Sequence, residues 1–394
     1  MHAASPASEM SARLRNKNAA LSHIRRTGGC SRTELMQVLG LSRSGVAHIV
    51  AMLLGEGAIV ERRDATRNTS KRGRPAMVLL PRGDGGLVLG IDFGHGHVSV
   101  AVADHVGQIL AEDTRHLDVD IDAAAAVQEA AQMARTLVRL TRLLKPVTYA
   151  VAGVPGPVDA RSGRVVSPTI LSDWVDVAPR TMLMEALQVP VTIEHDTLLG
   201  AMGEQRRGAG QGVDDMLYVK ISGGVGAGLI INGMPYRGSA GLAGEIGHTK
   251  VAGTIELCRC GSRGCLETVV SVERLRIQLG LATGTAFGTT SAEVTDFSRV
   301  TDPAGIRVLS EAGWVVGRVL SDVCNCFNPR AVVLGGLLGS SASALLDGVR
   351  SAIARFAEPS IGDSLTVVSA DFGTRAELVG AVVMAADLAA TGTA

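Results

Sequence analysis

Gly86-Leu87-Val88-Leu89-Gly90-Ile91-Asp92-Phe93-Gly94-His95-Gly96-His97-Val98-Ser99-Val100-Ala101-Val102-Ala103 is the stretch on which the fold turns. A run from Gly86 to Phe93 is apolar but for Asp92, a glycine–histidine turn follows, and Val98 to Ala103 is apolar again. That is a buried strand, a tight loop and a second buried strand. A weaker echo comes later: Met216 to Ile221, then Ser222-Gly223-Gly224-Val225-Gly226-Ala227-Gly228, then Leu229 to Ile231, with Asn232-Gly233 as a hairpin turn. Two strand–glycine loop–strand units predict a duplicated α/β body of two lobes, with a ligand cleft between them. Glycines let backbone N–H groups approach an anion closely, and Asp92, at a strand end, is placed to hold a metal–phosphate. Either loop taken singly is a weak signal and reads first as an ordinary glycine turn.

Around this unit the pattern continues as α/β. Gln108 to Thr114 reads as a strand, Asp122 to Leu144 as a long helix and Val147 to Val154 as another strand. Val191-Thr192-Ile193-Glu194-His195-Asp196 is a strand ending in a carboxylate, followed by helical Leu198, Leu199 and Met202. Asp196 can face a cleft as a general base toward a hydroxyl, or simply cap the helix. The body divides into a first lobe over 83–205 and a second over 206–394.

The 394-residue chain is 46% hydrophobic and carries 38 basic and 38 acidic side chains. Such a composition supports a large core and excludes a disordered chain. The balance hides an asymmetry. Residues 1–82 hold fourteen basic and five acidic side chains, a net +9, which leaves −9 on the remainder. A basic module on an acidic body is the footprint of a polyanion-binding head. Its pattern is three short helices. The first lies between about Asn16 and Arg26. The second is capped by Ser31 with Glu34 as a capping box, and buries Leu35, Val38 and Leu39. The third is capped by Ser42 and buries Val46, Ile49, Val50, Leu53 and Leu54. Arg43, Ser44 and His48 face outward at the start of the third helix, as on a recognition helix in the major groove. Ala58 to Glu61 and Met77 to Leu80 read as the strands of a wing. The basic loop between them ends in Lys71-Arg72-Gly73-Arg74-Pro75, where Arg72 and Arg74 suit a narrow minor groove. A solvated linker is the plain alternative.

His248 with Cys258-Arg259-Cys260-Gly261-Ser262-Arg263-Gly264-Cys265 is the most specific constellation. One imidazole and three thiols make a closed tetrahedral zinc site, structural rather than catalytic. The plain alternative is three unrelated buried cysteines. Six cysteines in a chain this long are no disulfide scaffold. Apolar runs such as Ala331 to Leu334 and Ala381 to Ala386 are too short to span a bilayer, and Met1 to Ser11 lacks the apolar core of a signal peptide. The expected location is the cytoplasm.

Together these residues resemble the ROK family (repressors, open reading frames and sugar kinases), specifically its transcription-regulator branch. The resemblance runs through the winged helix, Gly153-Val154-Pro155-Gly156-Pro157-Val158-Asp159, Ser167-Pro168 to Trp174 and Glu194-His195-Asp196. It continues through Arg237-Gly238, Ala243-Gly244-Glu245-Ile246-Gly247-His248, the cysteine loop ending in Glu267, Asn328-Pro329-Arg330 to Leu334-Gly335-Gly336, and a closing helix within Ala370 to Ala385 that returns to the first lobe. It implies a two-lobe actin-like ATPase fold behind a winged helix-turn-helix. Asp196 then matches the kinases' catalytic base. Glu245, His248 and Glu267 match sugar-hydroxyl ligands, His248 also on zinc. The family kinases carry Asp-x-Gly-Gly-Thr-Lys in the first phosphate loop. Here Asp92-Phe93-Gly94-His95-Gly96-His97 lacks the second glycine, the threonine and the lysine. His195 and Thr169 replace two asparagines, and Ser222-Gly223-Gly224 stands where kinases have Gly-Thr-Gly. The expectation is a sugar-responsive repressor that binds operator DNA as a homodimer or homotetramer. The alternative is a bifunctional ATP-dependent sugar kinase with a DNA-binding head.

Overall fold

The structure, a computed structural model, describes residues 16–21, 23–24, 27, 29–63, 77–81, 85–159, 162–166, 174, 177–284 and 297–391. In the head, helical residues between 16 and 24 precede β1 (Cys30–Ser31), α1 (Arg32–Leu39), α2 (Arg43–Gly55), β2 (Ile59–Arg63) and β3 (Met77–Pro81). Both expected caps form. The Ser31 hydroxyl accepts from the Glu34 N–H while the Glu34 carboxylate accepts from the Ser31 N–H, and the Ser42 hydroxyl accepts from the Gly45 N–H. Gly40, with φ +60°, takes the left-handed conformation that stops α1. Leu35, Val46, Ile49, Val50 and Leu53 are buried with Ile24 and Leu79, whereas Val38 is 55% exposed, against expectation. The 114° bend between α1 and α2 lets the short α1 reach the core through Leu35 and, partly, Leu39. The strands make a three-stranded wing in the order β1-β3-β2, with Cys30 opposite Leu79, a pairing that two residues of sequence do not announce. The loop carrying Arg72 and Arg74 lies outside the described residues.

The body holds two five-stranded sheets of the same topology. The first comprises β4 (Leu87–Gly94), β5 (His97–Ala103), β6 (Ile109–His116), β7 (Val147–Val154) and β8 (Val191–His195), in the order β6-β5-β4-β7-β8. Its helices are α3 (Ala123–Leu140) and α4 (Pro179–Leu187). After α5 (Asp196–Arg207), β9 (Met216–Ile221), β10 (Val225–Ile231) and β11 (Met234–Tyr236) begin the second sheet. The short α6 (Glu267–Val270), α7 (Val272–Thr283) and the long α8 (Pro303–Phe327) follow. Then come β12 (Ala331–Gly335), α9 (Gly336–Ser341), α10 (Ser343–Phe356), α11 (Pro359–Ser364), β13 (Thr366–Ser369) and the closing helix α12 (Ala376–Thr391). The second sheet runs β11-β10-β9-β12-β13, with antiparallel hairpins on one side of β9 and parallel strands on the other, as in the first sheet around β4. The duplication read from the two glycine loops is therefore present. The helix expected to reach Leu144 ends at Leu140, where Arg142 turns left-handed (φ 53°) ahead of Pro146.

Each lobe has its own core, and a third lies between the sheets. There α5 crosses α12 so closely that a Cβ on Gly380 would overlap the Leu199 carbonyl oxygen, and α12 packs on β4 and β7 of the first sheet. At its far end Ala390 packs against the head core.

Candidate functional site

The two glycine loops face each other across one cleft of about 760 Å³. Its walls include Gly94 to His97 from the β4–β5 turn, Ser222 to Gly226 from the β9–β10 turn, and Glu245, His248 and Glu267. His195, Asp196 and Thr197 enter from the junction of β8 and α5, and Glu377 from the start of α12. All four expected sugar-binding residues thus converge, although 71 positions of sequence separate Asp196 from Glu267. The His248 Nε2 lies 3.7 Å from a Glu245 oxygen, and the His195 Nε2 lies 3.4 Å from Asp196 Oδ1 and 3.9 Å from Glu245 Oε1.

Asp196 sits at the first position of α5 without capping the helix by its side chain. Its Oδ1 accepts from the adjacent Thr197 N–H at 2.6 Å, and its Oδ2 accepts from the Lys220 ammonium at 2.8 Å. Burial alone would raise the Asp196 carboxyl; Lys220, and next His195, hold it below the usual carboxylate range. Burial alone would also strip Lys220 of its proton, but Asp196, then Glu377 and Asp92, hold it well above the usual lysine range. Glu377 accepts from the Tyr218 hydroxyl at 2.9 Å and lies 3.6 Å from Lys220. Burial pushes its carboxyl up to about 7 against the pull of Lys220, and neighbouring Asp92 and Asp196 push the same way. Neither Lys220 nor Glu377 is among the residues read from sequence as functional. Lys220 leaves one trace there, a lysine in the otherwise apolar Met216-Leu217-Tyr218-Val219-Lys220-Ile221.

The phosphate side is filled by side chains of the chain itself. Asp92 is 1% exposed, and its Oδ2 meets the His97 Nε2 at 3.1 Å. Burial opposes charge on His97, but the hydrogen bond and charge of Asp92 raise its pKa above the ordinary value. The His95 Nδ1 lies 2.8 Å from Asp120 Oδ1, and its ring edge comes within 3.6 Å of where a Cβ on Gly223 would stand. That imidazole therefore occupies the gap between the loops. The Ser222 hydroxyl accepts from the Leu337 N–H at 3.0 Å, which ties the second loop to the Gly335-Gly336 turn.

Below the sugar-side residues, the ligand atoms of His248, Cys258, Cys260 and Cys265 all lie within 4.8 Å of one another, a cluster that could hold a metal ion. The His248 Nδ1 is 3.5 Å from Cys258 Sγ, and Cys260 Sγ is 3.7 Å from Cys265 Sγ. Ligands about 2.3 Å from a tetrahedral centre stand about 3.8 Å apart, so the donors fit such a centre. On the head, Arg43, Ser44 and His48 are exposed along the first turns of α2, and the Ser44 hydroxyl is 3.0 Å from that of Ser42.

The ROK family model matches residues 88–388. The chain belongs to the ROK family. This ROK protein is 28% identical over 369 residues to the xylose repressor of Bacillus spizizenii, covering 93% of each chain. The crystal structure of a ROK family transcriptional regulator homologous to the E. coli MLC protein matches it with a TM-score of 0.75 at 25% identity, covering 95% of this chain and 96% of that one. A ROK family glucokinase from Streptomyces griseus, in complex with glucose and AMPPNP, matches with a TM-score of 0.66 at 28% identity. The glucokinase match covers 76% of this chain and 99% of that one. Among the described residues, no single helix is long and apolar enough to cross a membrane.

Proposed function

We propose that this ROK protein is a DNA-binding transcriptional repressor whose body senses a sugar or sugar derivative. The reading assigns residues 1–82 to the DNA-binding head and 83–205 and 206–394 to the two lobes. It assigns Arg43, Ser44, His48, Arg72 and Arg74 to DNA contact, and Asp196, Glu245, His248 and Glu267 to the effector. One observation carries it: both kinase-type carboxylates are taken by basic side chains of the chain itself, Asp196 by Lys220 at 2.8 Å and Asp92 by His97 at 3.1 Å. A carboxylate held ionised by an ammonium is a weak acceptor for a hydroxyl proton, and phosphoryl transfer rests on positioning and charge around the phosphate. Glu245 and Glu267 line the same cleft on its sugar side. Relatives add support, since the repressor match spans 93% of this chain and the glucokinase match only 76%.

Three thiols and an imidazole at these separations suit zinc, with no position left for catalysis. A zinc ion bound there supplies folding energy to the loop carrying Glu267. With Nδ1 turned to the cluster, His248 keeps Nε2–H to donate to an effector hydroxyl. The coupling path is α12, which lines the cleft at Glu377 and Leu378 and packs on the head through Ala390. An effector that binds two body conformations unequally shifts the heads through that path. Operator binding by a cytoplasmic homodimer or homotetramer belongs to the same reading.

The second reading, a bifunctional sugar kinase with a DNA-binding head, draws on the retained Asp92, Asp196 and Gly335-Gly336 and on the glucokinase likeness. A panel of free sugars, read by melting temperature and by coupled Mg-ATP turnover, separates the two. The repressor reading expects a sugar that raises the melting temperature and changes DNA affinity, with Asp196→Ala losing the response and keeping DNA binding. Turnover on the order of 1 s⁻¹ with that sugar would promote the kinase.

A further inference from the structure

We infer that the former phosphate half of the cleft is a second carbohydrate subsite, so that the effector is a neutral disaccharide or glycoside rather than a single sugar or a phosphorylated one. This second subsite presupposes the sugar-site reading above, but other residues carry it. His97 and Ser99 lie two apart on β5, and Glu112, Thr114 and His116 two apart on β6. The ladder sets His97 opposite His116 and Ser99 opposite Thr114, so these side chains share one face of the sheet. All five line the cleft. β6 is an edge strand, on which Glu112, Thr114 and His116 are exposed. The stretch Glu112-Asp113-Thr114-Arg115-His116 holds no apolar residue, so core packing does not account for its side chains.

The charges of this half select against an anion. His95 Nδ1 lies 2.8 Å from Asp120, His97 Nε2 3.1 Å from Asp92, Lys220 Nζ 2.8 Å from Asp196, and the Arg375 guanidinium 2.7 Å from Glu112. An arriving phosphate would have to break one of these pairs or stand beside its carboxylate. His116 adds a single imidazole, against the several convergent donors that hold a phosphate. A nucleotide is disfavoured a second way, since among the described residues no aromatic ring lines the cleft to stack on a base. Hydroxyls and imidazoles, by contrast, both give and accept hydrogen bonds, as a sugar does. The Ser99 and Thr114 hydroxyls are 2.8 Å apart, so one donates to the other and the pair keeps one proton and free lone pairs for a ligand.

Size and continuity point the same way. Clefts of about 300–1,000 Å³ enclose drug-sized ligands, and a single pyranose, far smaller, leaves much of this cleft of about 760 Å³ unfilled. The two halves are joined by a run of polar groups. Glu245 is 3.9 Å from His195, His195 3.4 Å from Asp196, and Asp196 2.8 Å from Lys220, on which the charge of Asp92 also acts. Asp92 meets His97, and His97 stands opposite His116. A Cβ on Gly94 would overlap the His97 ring, so only glycine there lets that imidazole fold back onto Asp92 and leave the sheet face to a ligand. One ring held by Glu245, His248 and Glu267 therefore has a polar surface beyond it for a second ring, and no free cationic cradle for a phosphate.

Calorimetry on the full chain tests this, with D-xylose against xylobiose, D-glucose against cellobiose, maltose and isomaltose, and D-glucose 6-phosphate. One disaccharide is expected to bind at least about tenfold more tightly than its monosaccharide, as a few added hydrogen bonds would give, and more tightly than the phosphate ester. His116→Ala and Thr114→Val, both at exposed positions of the edge strand, are expected to shrink that ratio to within about threefold, with monosaccharide binding by each variant as the check on its fold. A monosaccharide that binds as tightly as every disaccharide overturns the second subsite and leaves the sugar-site reading standing. Tightest binding by the phosphate ester overturns the neutral ligand. A disaccharide preference that neither variant reduces overturns the placement on β5 and β6. If no sugar binds, the sugar-site reading fails and the second subsite fails with it.

Discussion

Lys220→Met should destabilise this protein in a way that a second substitution repairs. The Lys220 and Asp196 side chains are 15% and 5% exposed, and their charged atoms are 2.8 Å apart. Removing one partner of a buried pair leaves a stranded charge and costs about 3–5 kcal/mol. The residual exposure of Lys220 puts the expected cost near the lower end, about 3 kcal/mol. The methionine fills most of the volume of the lysine stem, so a cavity adds little. Lys220→Met with Asp196→Asn removes both charges and should return to within about 1 kcal/mol of wild type, a coupling of about 2 kcal/mol or more. The pH dependence gives a second sign. In the wild type the Asp196 carboxyl is held below its ordinary value, so its contribution is present above about pH 4 and lost as pH falls further. Without Lys220, burial raises that carboxyl, and the deficit of the single variant should grow from pH 5 to pH 8. Urea unfolding of the four proteins of the cycle at both pH values measures this. A single variant costing under about 1 kcal/mol, or two costs that simply add, would refute the argument that Lys220 neutralises Asp196.

Other outcomes follow from the same structure. Glu377, 1% exposed, has its carboxyl raised from 4.5 to about 7, so the wild type loses stability as pH rises through that window. Glu377→Gln should match wild type near pH 4.5 and exceed it by about 3 kcal/mol at pH 8; lower stability at pH 8 in thermal melts contradicts the assignment. Protein purified without chelator should carry one zinc per chain by elemental analysis, lost in Cys258→Ser, and metal-free wild type would sink the site. Binding to duplex DNA selected from a random library should weaken steeply with salt. Arg43→Ala or His48→Ala should cost about 1–3 kcal/mol of sequence discrimination. A fragment of residues 83–394 that binds the selected DNA as well as the full chain does would refute the head's role.

Features governed by neighbours in the chain were legible from sequence alone. Ser31 with Glu34, and Ser42, cap their helices because a side chain reaches the backbone three residues away whatever the rest of the fold does. The apolar runs around Asp92 and Ser222 become strands in duplicate sheets because burial on both faces demands such runs. Cys258, Cys260 and Cys265 share one short loop, so their convergence is local, and His248 is ten residues away. Other features needed the tertiary structure. Val38 fits the helical period yet lies in solvent, because the bend between α1 and α2, not the period, sets which face is covered. The first loop showed that a kinase lysine was missing, but not that His97 would sit on Asp92. Lys220 and Ala227 belong to the second sheet, whereas Asp196 and Thr197 open α5 after the last strand of the first. Whether they meet depends on how α5 and α12 pack between the lobes, where glycines such as Gly380 permit the close crossing. Periodicity and capping are set within a few residues; charge pairing across the cleft is set by the distance between lobes, which no short stretch of sequence encodes.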